Sequence, residues 1–161
     1  MKNIRVAING FGRIGRTVLR RLLEKENIQI VAINDLADIH TLAHLLKYDS
    51  IHRQFAGSIS VEGAYLIVNN QRILVCKEKE PANLPWESLG VDIVIESTGK
   101  FTKQHQASLH LQAGAKKVII SAPSEDKDIP TACLGINEEV IKKDLKIISN
   151  ASCTTNNVAS L

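Results

Sequence analysis

Hydrophobic positions along the chain follow two spacings in turn, one typical of strands and one typical of helices. Near the start, Ile4, Val6 and Ile8 alternate with other residues and predict a strand. From Ile14 onward, apolar residues recur at every fourth position and predict a helix. Further strands are predicted at 29–35, 91–96, 117–121, 130–135 and 146–149, and further helices at 39–46, 104–112 and 138–143.

The repeated order of strand and helix is typical of an α/β fold. It predicts a Rossmann-type open sheet, twisted and mostly parallel, with helices on both faces. Three short strands, at 58–61, 65–68 and 72–75, interrupt this order, and Asn69-Asn70 between the last two predicts a hairpin turn. These short strands are therefore interpreted as a small β insertion.

A glycine-rich turn joins the first strand to the first helix. Gly10, Gly12 and Gly15 have the spacing G-x-G-x-x-G. In this context Gly10 permits the turn, Gly12 lets the backbone approach a pyrophosphate, and Gly15 lets the helix lie close to the sheet. The N-terminus of the helix then offers free N–H groups and a positive dipole to phosphates. The motif predicts a dinucleotide site, and a tight turn without a ligand is the alternative.

Two charged residues near this turn suit the same ligand. Asp35 lies 20 residues after Gly15, where a dinucleotide fold places the carboxylate that accepts hydrogen bonds from the adenosine ribose. An acid there favours NAD, because it would repel the 2′-phosphate of NADP. A helix N-cap is the alternative role for Asp35. Arg13, at the start of the helix, is interpreted either as facing phosphate or as part of a solvated helix face.

Composition and charge narrow the classes of protein. The 161 residues are 44% hydrophobic and 23% charged, which predicts one domain with a core of its own. A net charge of +3 is too small to indicate nucleic acid, and no apolar run has the length of a membrane span. The N-terminus enters a strand at once, without the apolar segment of a signal peptide. The three cysteines, without C-x-x-C spacing, predict reduced thiols in a cytoplasmic protein.

The histidines and the single tryptophan are interpreted as structural. His40 and His44 lie four apart on a predicted helix, but no third ligand is visible, so no metal is predicted. His105 and His110 are expected on or near the exposed side of their helix. Trp86, which ends a proline-bracketed loop, is interpreted as a packing residue, and a ligand contact is the alternative.

The chain also carries a candidate nucleophile near its C-terminal end. Residues 149–153 predict a turn from the last strand into a helix, which places Cys153 near a helix N-terminus. The helix dipole and free N–H groups there stabilise a thiolate, the nucleophilic form of cysteine. Ser152, Thr154 and Thr155 surround it with hydroxyl groups that suit an anion. A buried, unreactive thiol is the alternative.

Several short motifs occur in one order along the chain and resemble a single family. They are NGFGRIGR at 9–16, NDL at 34–36, KYDS at 47–50, PAN at 81–83, ESTG at 96–99, SAP at 121–123 and SNASCTTN at 149–156. The sequence resembles the phosphorylating, NAD-dependent glyceraldehyde-3-phosphate dehydrogenases over its whole length, and the cysteine motif is highly specific.

This resemblance implies a cofactor, substrates and a glycolytic reaction. The cofactor would be NAD, and the small-molecule substrates would be glyceraldehyde 3-phosphate and inorganic phosphate. Cys153 would attack the aldehyde to form a thiohemiacetal; hydride transfer to the nicotinamide would leave a thioester, which phosphate would cleave to 1,3-bisphosphoglycerate. Ser152 and Thr154 would hold substrate or phosphate oxygens. The implied cofactor-binding residues are Asn9, Gly10, Phe11, Gly12, Arg13, Ile14, Gly15, Asn34, Asp35, Lys79, Ser97, Thr98, Gly99, Phe101 and Ser121.

The resemblance also implies a domain organisation. Residues 1–151 would form the NAD-binding domain, and residues 152–161 would begin the helix of the catalytic cysteine. The family's second, catalytic domain, with its histidine base and its phosphate-binding arginines, has no counterpart in this sequence. The chain alone is therefore expected to lack turnover and to self-associate through apolar surface. Full-length members are expected to be cytoplasmic homotetramers without nucleic-acid or membrane partners.

Four positions depart from the family pattern, and two other functions stay open. Lys79 replaces an arginine near the adenine, Lys100 stands where the family is usually apolar, Asn157 replaces a cysteine, and Ser160 replaces a proline. The related erythrose-4-phosphate dehydrogenases share most of the motifs, although SAP favours the three-carbon substrate. A dinucleotide-binding or protein-interaction module without catalysis is the other alternative.

Overall fold

The computed structural model describes residues 3–159, which form one sheet with helices and 3₁₀ turns. The strands are β1 (Ile4–Asn9), β2 (Ile28–Asn34), β3 (Ile59–Glu62), β4 (Tyr65–Val68), β5 (Gln71–Cys76), β6 (Ile93–Glu96), β7 (Lys117–Ile120) and β8 (Ile147–Ser149). The helices are α1 (Arg13–Leu22), α2 (Ile39–Lys47), α3 (Gln104–Gln112) and α4 (Cys153–Val158). Single 3₁₀ turns lie at Pro81–Asn83 and Glu138–Val140. Ser160, one of the departures from the family pattern, and Leu161 lie outside the described residues.

The eight strands are arranged in the order β3-β4-β5-β2-β1-β6-β7-β8. All neighbours from β5 to β8 are parallel, whereas β3, β4 and β5 pair antiparallel. The chain starts in the middle of the sheet at β1, builds outward through β2, and then returns to the other side of β1 with β6. The order of strands thus reverses between β1 and β6, where open α/β sheets place their ligands. The predicted parallel sheet and its β insertion are confirmed.

Side chains on the two faces of the central strands belong to different core clusters. Ile8 of β1 packs in one cluster with Leu19 of α1 and Leu42 of α2. Its neighbour Ala7 belongs to a second cluster with Trp86 and Ala113, which follows α3. Because consecutive strand residues point to opposite faces, helices cover both faces of the sheet, as predicted. Trp86 is fully buried and packs in the core, which confirms its interpretation as a packing residue.

The β insertion turns where the sequence predicts. Asn69 and Asn70, between β4 and β5, have φ angles of 48° and 67°. Asparagine tolerates this left-handed conformation better than other non-glycine residues, and two such residues in succession form the tight turn that matches strand twist.

Two predicted elements before β8 are wrong. Instead of a strand at 130–135, only Thr131 forms a bridge, with Ser149, and the chain then turns because the Asn137 side chain accepts a hydrogen bond from the Cys133 N–H at 2.7 Å. Instead of a helix at 138–143, only the 3₁₀ turn Glu138–Val140 forms. The next residue, Ile141, is exposed, and a helix this short is not stable without packing.

Candidate functional site

A cleft of about 510 Å³ opens at the carboxyl ends of β1, β2 and β6. It lies at the reversal point of the sheet, and many of the predicted cofactor residues meet there. The lining residues are Asn9, Gly10, Gly12, Asn34, Asp35, Leu36, Glu78, Lys79, Ser97, Thr98, Lys100 and Phe101. Loops after four different strands, β1, β2, β5 and β6, therefore contribute to one site.

The three glycines of the turn meet different surroundings. Gly10 has φ of +88°, and a Cβ there would lie 2.7 Å from the Thr98 nitrogen. A Cβ at Gly15 would collide with the carbonyl oxygen of Gly10. At Gly12, by contrast, a Cβ would meet no atom within 4 Å. Two glycines are thus required by the protein itself, whereas the third leaves open space in the wall of the cleft.

The N-terminus of α1 lies beside this open space. Gly12 is its N-cap residue, no side chain caps it, and its first turn contains no acidic residue. The first N–H groups of the helix therefore have no intrahelical partner and no side-chain cap. Together with the helix dipole, they fit an anionic group such as a pyrophosphate.

Asp35 is held at the edge of the cleft by two main-chain hydrogen bonds. Its Oδ2 accepts from the Phe11 N–H at 2.7 Å, and its Oδ1 accepts from the Ala37 N–H at 3.0 Å. Each carboxylate oxygen keeps further acceptor capacity for hydroxyl groups. The alternative role as a helix cap is excluded, because Asp38 is the N-cap of α2. Phe11 contributes only its main chain to this region, since its ring is buried in the core.

The last residues of three neighbouring strands form a side-chain ladder below the cleft. Asn34 of β2, Asn9 of β1 and Glu96 of β6 are partners in the parallel register. The Asn34 Nδ2 donates to the Asn9 Oδ1 at 2.7 Å, and the Asn9 Nδ2 donates to the Glu96 Oε2 at 2.6 Å. We call Asn34, Asn9 and Glu96 the strand-end ladder. It connects the strands on both sides of the reversal point.

The ladder continues into residues that the sequence did not single out for the site. His110 Nε2 lies 3.0 Å from the Glu96 Oε2, and the Trp86 indole donates to His110 Nδ1 at 3.0 Å. The expectation that His110 faces the exposed side of α3 is wrong, because its side chain is fully buried. It lies three residues after the buried Ala107, on the inward face of the helix. His105 is exposed, as expected.

The remaining predicted cofactor residues are divided between the cleft and its surroundings. The Ser97 hydroxyl donates a hydrogen bond to the Gly10 carbonyl at 2.7 Å and so holds the glycine turn between β1 and α1. Lys79 and Phe101 line the cleft. Gly99 is exposed in the loop after β6, and Ser121, whose N–H donates to the Glu96 carbonyl at 2.9 Å, is not part of the lining.

Cys153 lies at a second cleft, of about 470 Å³. Arg13 and Ile14 line this second cleft rather than the first, with residues of the segment after α2. Cys153 is the first residue of α4 and is exposed. The Ser152 hydroxyl caps the helix by accepting from the Thr155 N–H at 2.9 Å, and it also lies 2.9 Å from the Thr154 hydroxyl.

The turn before Cys153 has an unusual backbone. Ala151 has φ of +58°, a left-handed conformation that strains a residue with a Cβ. Asn156 holds this turn in place, because its Nδ2 donates to the Asn150 carbonyl at 2.8 Å and to the Ser152 carbonyl at 3.0 Å. The sulfur is thus presented to solvent by a fixed turn.

The other two thiols are less accessible. Burial, and to a smaller extent the Glu78 carboxylate, raises the pKa of Cys76. Cys133 is buried, and its Sγ donates to the Asn156 Oδ1 at 3.5 Å. Cys153, in contrast, is exposed, which excludes the alternative that it is a buried thiol.

Within residues 3–159, no group of three or more histidine, cysteine or acidic side chains has an arrangement that could hold a metal ion. None of the helices in that part of the chain is both long and apolar enough to cross a bilayer.

The reversed strand order, the glycine turn and the fixed carboxylate at the end of β2 define a dinucleotide-binding domain. Comparison with known families identifies it further. The sequence model described as "Glyceraldehyde 3-phosphate dehydrogenase, NAD binding domain" matches residues 4–104. The chain belongs to this family, and its cofactor is NAD, as the sequence motifs predict.

Curated relatives match the chain almost from end to end. It is 56% identical to the glyceraldehyde-3-phosphate dehydrogenase of Mycoplasma pneumoniae over 160 residues, which cover 99% of this chain and 48% of that protein. The enzyme of Thermotoga maritima is 57% identical over 98% of the chain, and that of Geobacillus stearothermophilus is 55% identical over 97%, each match covering 47% of the relative. The chain thus spans about half the length of the curated relatives it matches.

Proposed function

We propose that NAD binds in the first cleft with its pyrophosphate at Gly12 and the first turn of α1. The open space at Gly12 is the observation that carries this proposal, because the protein's own packing does not require a glycine there. Asp35 would accept hydrogen bonds from the adenosine ribose, and Lys79 would lie near the adenine. The rest of the cofactor would contact Ser97, Thr98, Gly99, Phe101 and Ser121, with Arg13 and Ile14 near the pyrophosphate.

Replacing Asp35 with asparagine tests this assignment. The amide carries no charge, and its NH₂ group would face one of the two N–H groups that now donate to the carboxylate. We expect the affinity for NAD to fall about tenfold. We also expect the affinities for NAD and NADP to become more similar, because the charge that repels the 2′-phosphate is gone. Calorimetric titration of both cofactors measures the two effects. Unchanged NAD affinity in a folded D35N variant would contradict the assignment.

We also propose that the whole protein oxidises and phosphorylates glyceraldehyde 3-phosphate through Cys153. The relatives that match the chain are named glyceraldehyde-3-phosphate dehydrogenase, which supports the oxidation, and Cys153 is exposed at a fixed turn. Its sulfur would add to the aldehyde carbon; after oxidation of this adduct, phosphate would cleave the thioester and release the thiolate. Ser152 and Thr154 would bind oxygens of the substrate or phosphate. Bound NAD would supply the hydride acceptor.

A chimera tests the role of Cys153. The chain is joined to the remaining half of the Thermotoga maritima relative, and phosphate-dependent reduction of NAD is followed with glyceraldehyde 3-phosphate. We expect turnover by the chimera, none by the 161-residue chain alone, and loss of turnover in Cys153→Ser. Cys133→Ser is the matched control, because it removes a buried thiol from the neighbouring loop. Assay of the full-length parent protein with glyceraldehyde 3-phosphate and with erythrose 4-phosphate distinguishes the three-carbon from the four-carbon substrate.

We further propose a domain boundary near residue 151 and a cytoplasmic location. The strained turn at Ala151 separates the last strand of the sheet from α4, which supports the boundary. A relative from Trypanosoma brucei brucei, 51% identical over 98% of the chain, is named as the cytosolic enzyme. The three free cysteines fit a reducing compartment. Microscopy of a fluorescent fusion in the source cell tests the location.

A further inference from the structure

Glu96 is a buried carboxylate with four hydrogen-bond donors. It is 1% exposed, so it does not itself line the cleft. Its Oε2 faces Asn9 Nδ2 at 2.6 Å and His110 Nε2 at 3.0 Å. Its Oε1 accepts from the main-chain N–H of Thr98 at 2.8 Å and from the hydroxyl of the same residue. Such an arrangement offsets the cost of burying a charge.

The hydrogen bonds fix where the protons lie. The indole N–H of Trp86 can only donate, so His110 Nδ1 must accept, and the ring carries its proton on Nε2. His110 is therefore neutral, and it donates to Glu96 through Nε2. The Asn9 amide is oriented in the same way, because its Oδ1 accepts from Asn34 and its Nδ2 must face the carboxylate.

Both oxygens of Glu96 hold residues that line the cleft. Asn9 ends β1, and Thr98 follows the end of β6, so the carboxylate connects the two sides of the reversal point. We propose that Glu96 is a positioning residue for NAD, which sets the Asn9 side chain and the Thr98 backbone from below while His110 and Trp86 fix the carboxylate. This inference rests on the proposed binding of NAD in the first cleft.

The variant Glu96→Gln tests the proposal most directly. An amide has one acceptor oxygen and one NH₂ group, so its NH₂ must face either the Thr98 donors or the donors of Asn9 and His110. We expect the Kd for NAD to rise about tenfold, because one set of hydrogen bonds to a charged group is lost. Glu125→Gln is the matched control, because this exposed carboxylate contacts Thr102 and Lys103 away from the cleft. The Glu125→Gln variant is expected to bind NAD with the Kd of the wild type.

A double-mutant cycle separates positioning from a loss of stability. Thr98→Val keeps the branched shape but removes the hydroxyl that donates to Glu96. If Glu96 acts through Thr98, the losses of NAD binding free energy in E96Q and T98V are less than additive in the double variant. Leu66→Ala is the control for a general loss of stability, because Leu66 is a buried core residue of β4 in the β insertion. This variant is expected to have a lower melting temperature and, below that temperature, an unchanged Kd for NAD.

Tryptophan fluorescence tests the lower half of the network. The chain has a single tryptophan, so the emission comes from Trp86 alone, and the indole donates its hydrogen bond to His110. We expect His110→Phe to shift this emission and raise the Kd for NAD. His110→Gln, which retains one acceptor and one donor, is expected to restore much of both signals. A folded His110→Phe variant with the emission and the Kd of the wild type would contradict the proposal.

The outcomes distinguish this inference from the proposed function. If the wild-type chain binds no NAD, the proposed cleft itself is wrong. If the wild type binds NAD and folded E96Q binds it equally well, only the positioning role of Glu96 is wrong. Additive losses in the double-mutant cycle, or an equal rise of the Kd in Leu66→Ala, would also overturn that role.

Discussion

The glycines of the turn between β1 and α1 differ in whether the packing of the protein requires them. Gly15 packs against the Gly10 carbonyl, whereas Gly12 faces open space. We expect Gly15→Ala to lower the free energy of unfolding by about 1–3 kcal/mol, because the added methyl forces the helix away from the turn. Gly12→Ala is expected to keep most of the stability and to lose NAD affinity.

Urea denaturation and calorimetric titration of the two glycine variants together check this prediction. Gly63→Ala is a useful reference, because it has open space for a Cβ but a positive φ in the hairpin far from the cleft. Its expected effect is a modest loss of stability without a change in NAD affinity. A Gly12→Ala variant that binds NAD normally would show that the pyrophosphate lies elsewhere.

The three thiols provide a second prediction at the level of residues. Cys153 is exposed, Cys133 is buried, and burial raises the pKa of Cys76, which disfavours its reactive thiolate. Iodoacetamide is therefore expected to modify Cys153 first at mildly alkaline pH, then Cys76, and Cys133 only on unfolding. Peptide mass spectrometry over time gives the order. Modification of Cys76 before Cys153 would contradict the structure.

Sequence reasoning identified the residues of the site that obey a local spacing. The glycines and Asp35 could be found because their roles depend on distance along the chain. Glu96, His110 and Trp86 were missed as a network because their hydrogen bonds join residues 14 and 24 positions apart. The available signals were a glutamate ending an apolar strand and a histidine three residues after an inward alanine. The roles of the predicted cofactor residues themselves stay predictions.

Among the elements, α2 offers a prediction about pH. Asp38 caps this helix, and its hydrogen bonds from the Thr41 hydroxyl and then the Thr41 N–H hold its pKa below the ordinary value of 3.8. A lowered folded-state pKa means that the stabilisation is present above the ordinary value and is lost as the pH falls through the folded value. We expect Asp38→Ala to lower the melting temperature at neutral pH, and this difference to shrink in acid.

Asp38→Asn is the control for the helix cap. Asparagine caps helices about as well as aspartate but does not titrate in this range, so its melting temperature is expected near that of the wild type at neutral pH. Scanning calorimetry at several pH values compares the three proteins. A constant difference between wild type and Asp38→Ala down to the acid transition would contradict the prediction.

Elements with strong apolar periodicity were predicted correctly from the sequence. The wrong predictions concern the segment before β8, where tertiary contacts determine the secondary structure. The central strands and the hairpin at Asn69-Asn70 carry their own local signals. The segment before β8 does not, because the side chain of Asn137 ends the extended stretch and the exposed Ile141 gives no packing for a longer helix. Periodicity cannot reveal either effect, since both depend on what the side chain meets in the fold.

Across the whole molecule, the second cleft exposes several large hydrophobic side chains. These are Ile14, Leu45, Tyr48 and Ile51, which are 48%, 38%, 47% and 73% exposed. Large apolar side chains that are exposed around one cleft favour association. We expect the chain to form dimers or larger species as its concentration rises, measured by gel filtration with light scattering.

Two serine variants test which surface causes the association. Ile51→Ser removes the most exposed hydrophobic residue of the second cleft and is expected to shift the chain towards monomer. Leu134→Ser changes a residue that is 77% exposed outside this cleft and is expected to have little effect. A monomer at all concentrations, or a larger shift with Leu134→Ser, would argue against association through the second cleft.

The position of Phe11 has a consequence for engineering. Its main-chain N–H donates to the Asp35 carboxylate, while its ring lies in the core between the sheet and the first two helices. A redesign towards a 2′-phosphorylated cofactor must replace that acid, and the replacement frees the backbone of a residue anchored in the interior. A variant with altered cofactor preference is therefore expected to have a lower melting temperature as well. A second, stabilising substitution in the core would be needed to restore it.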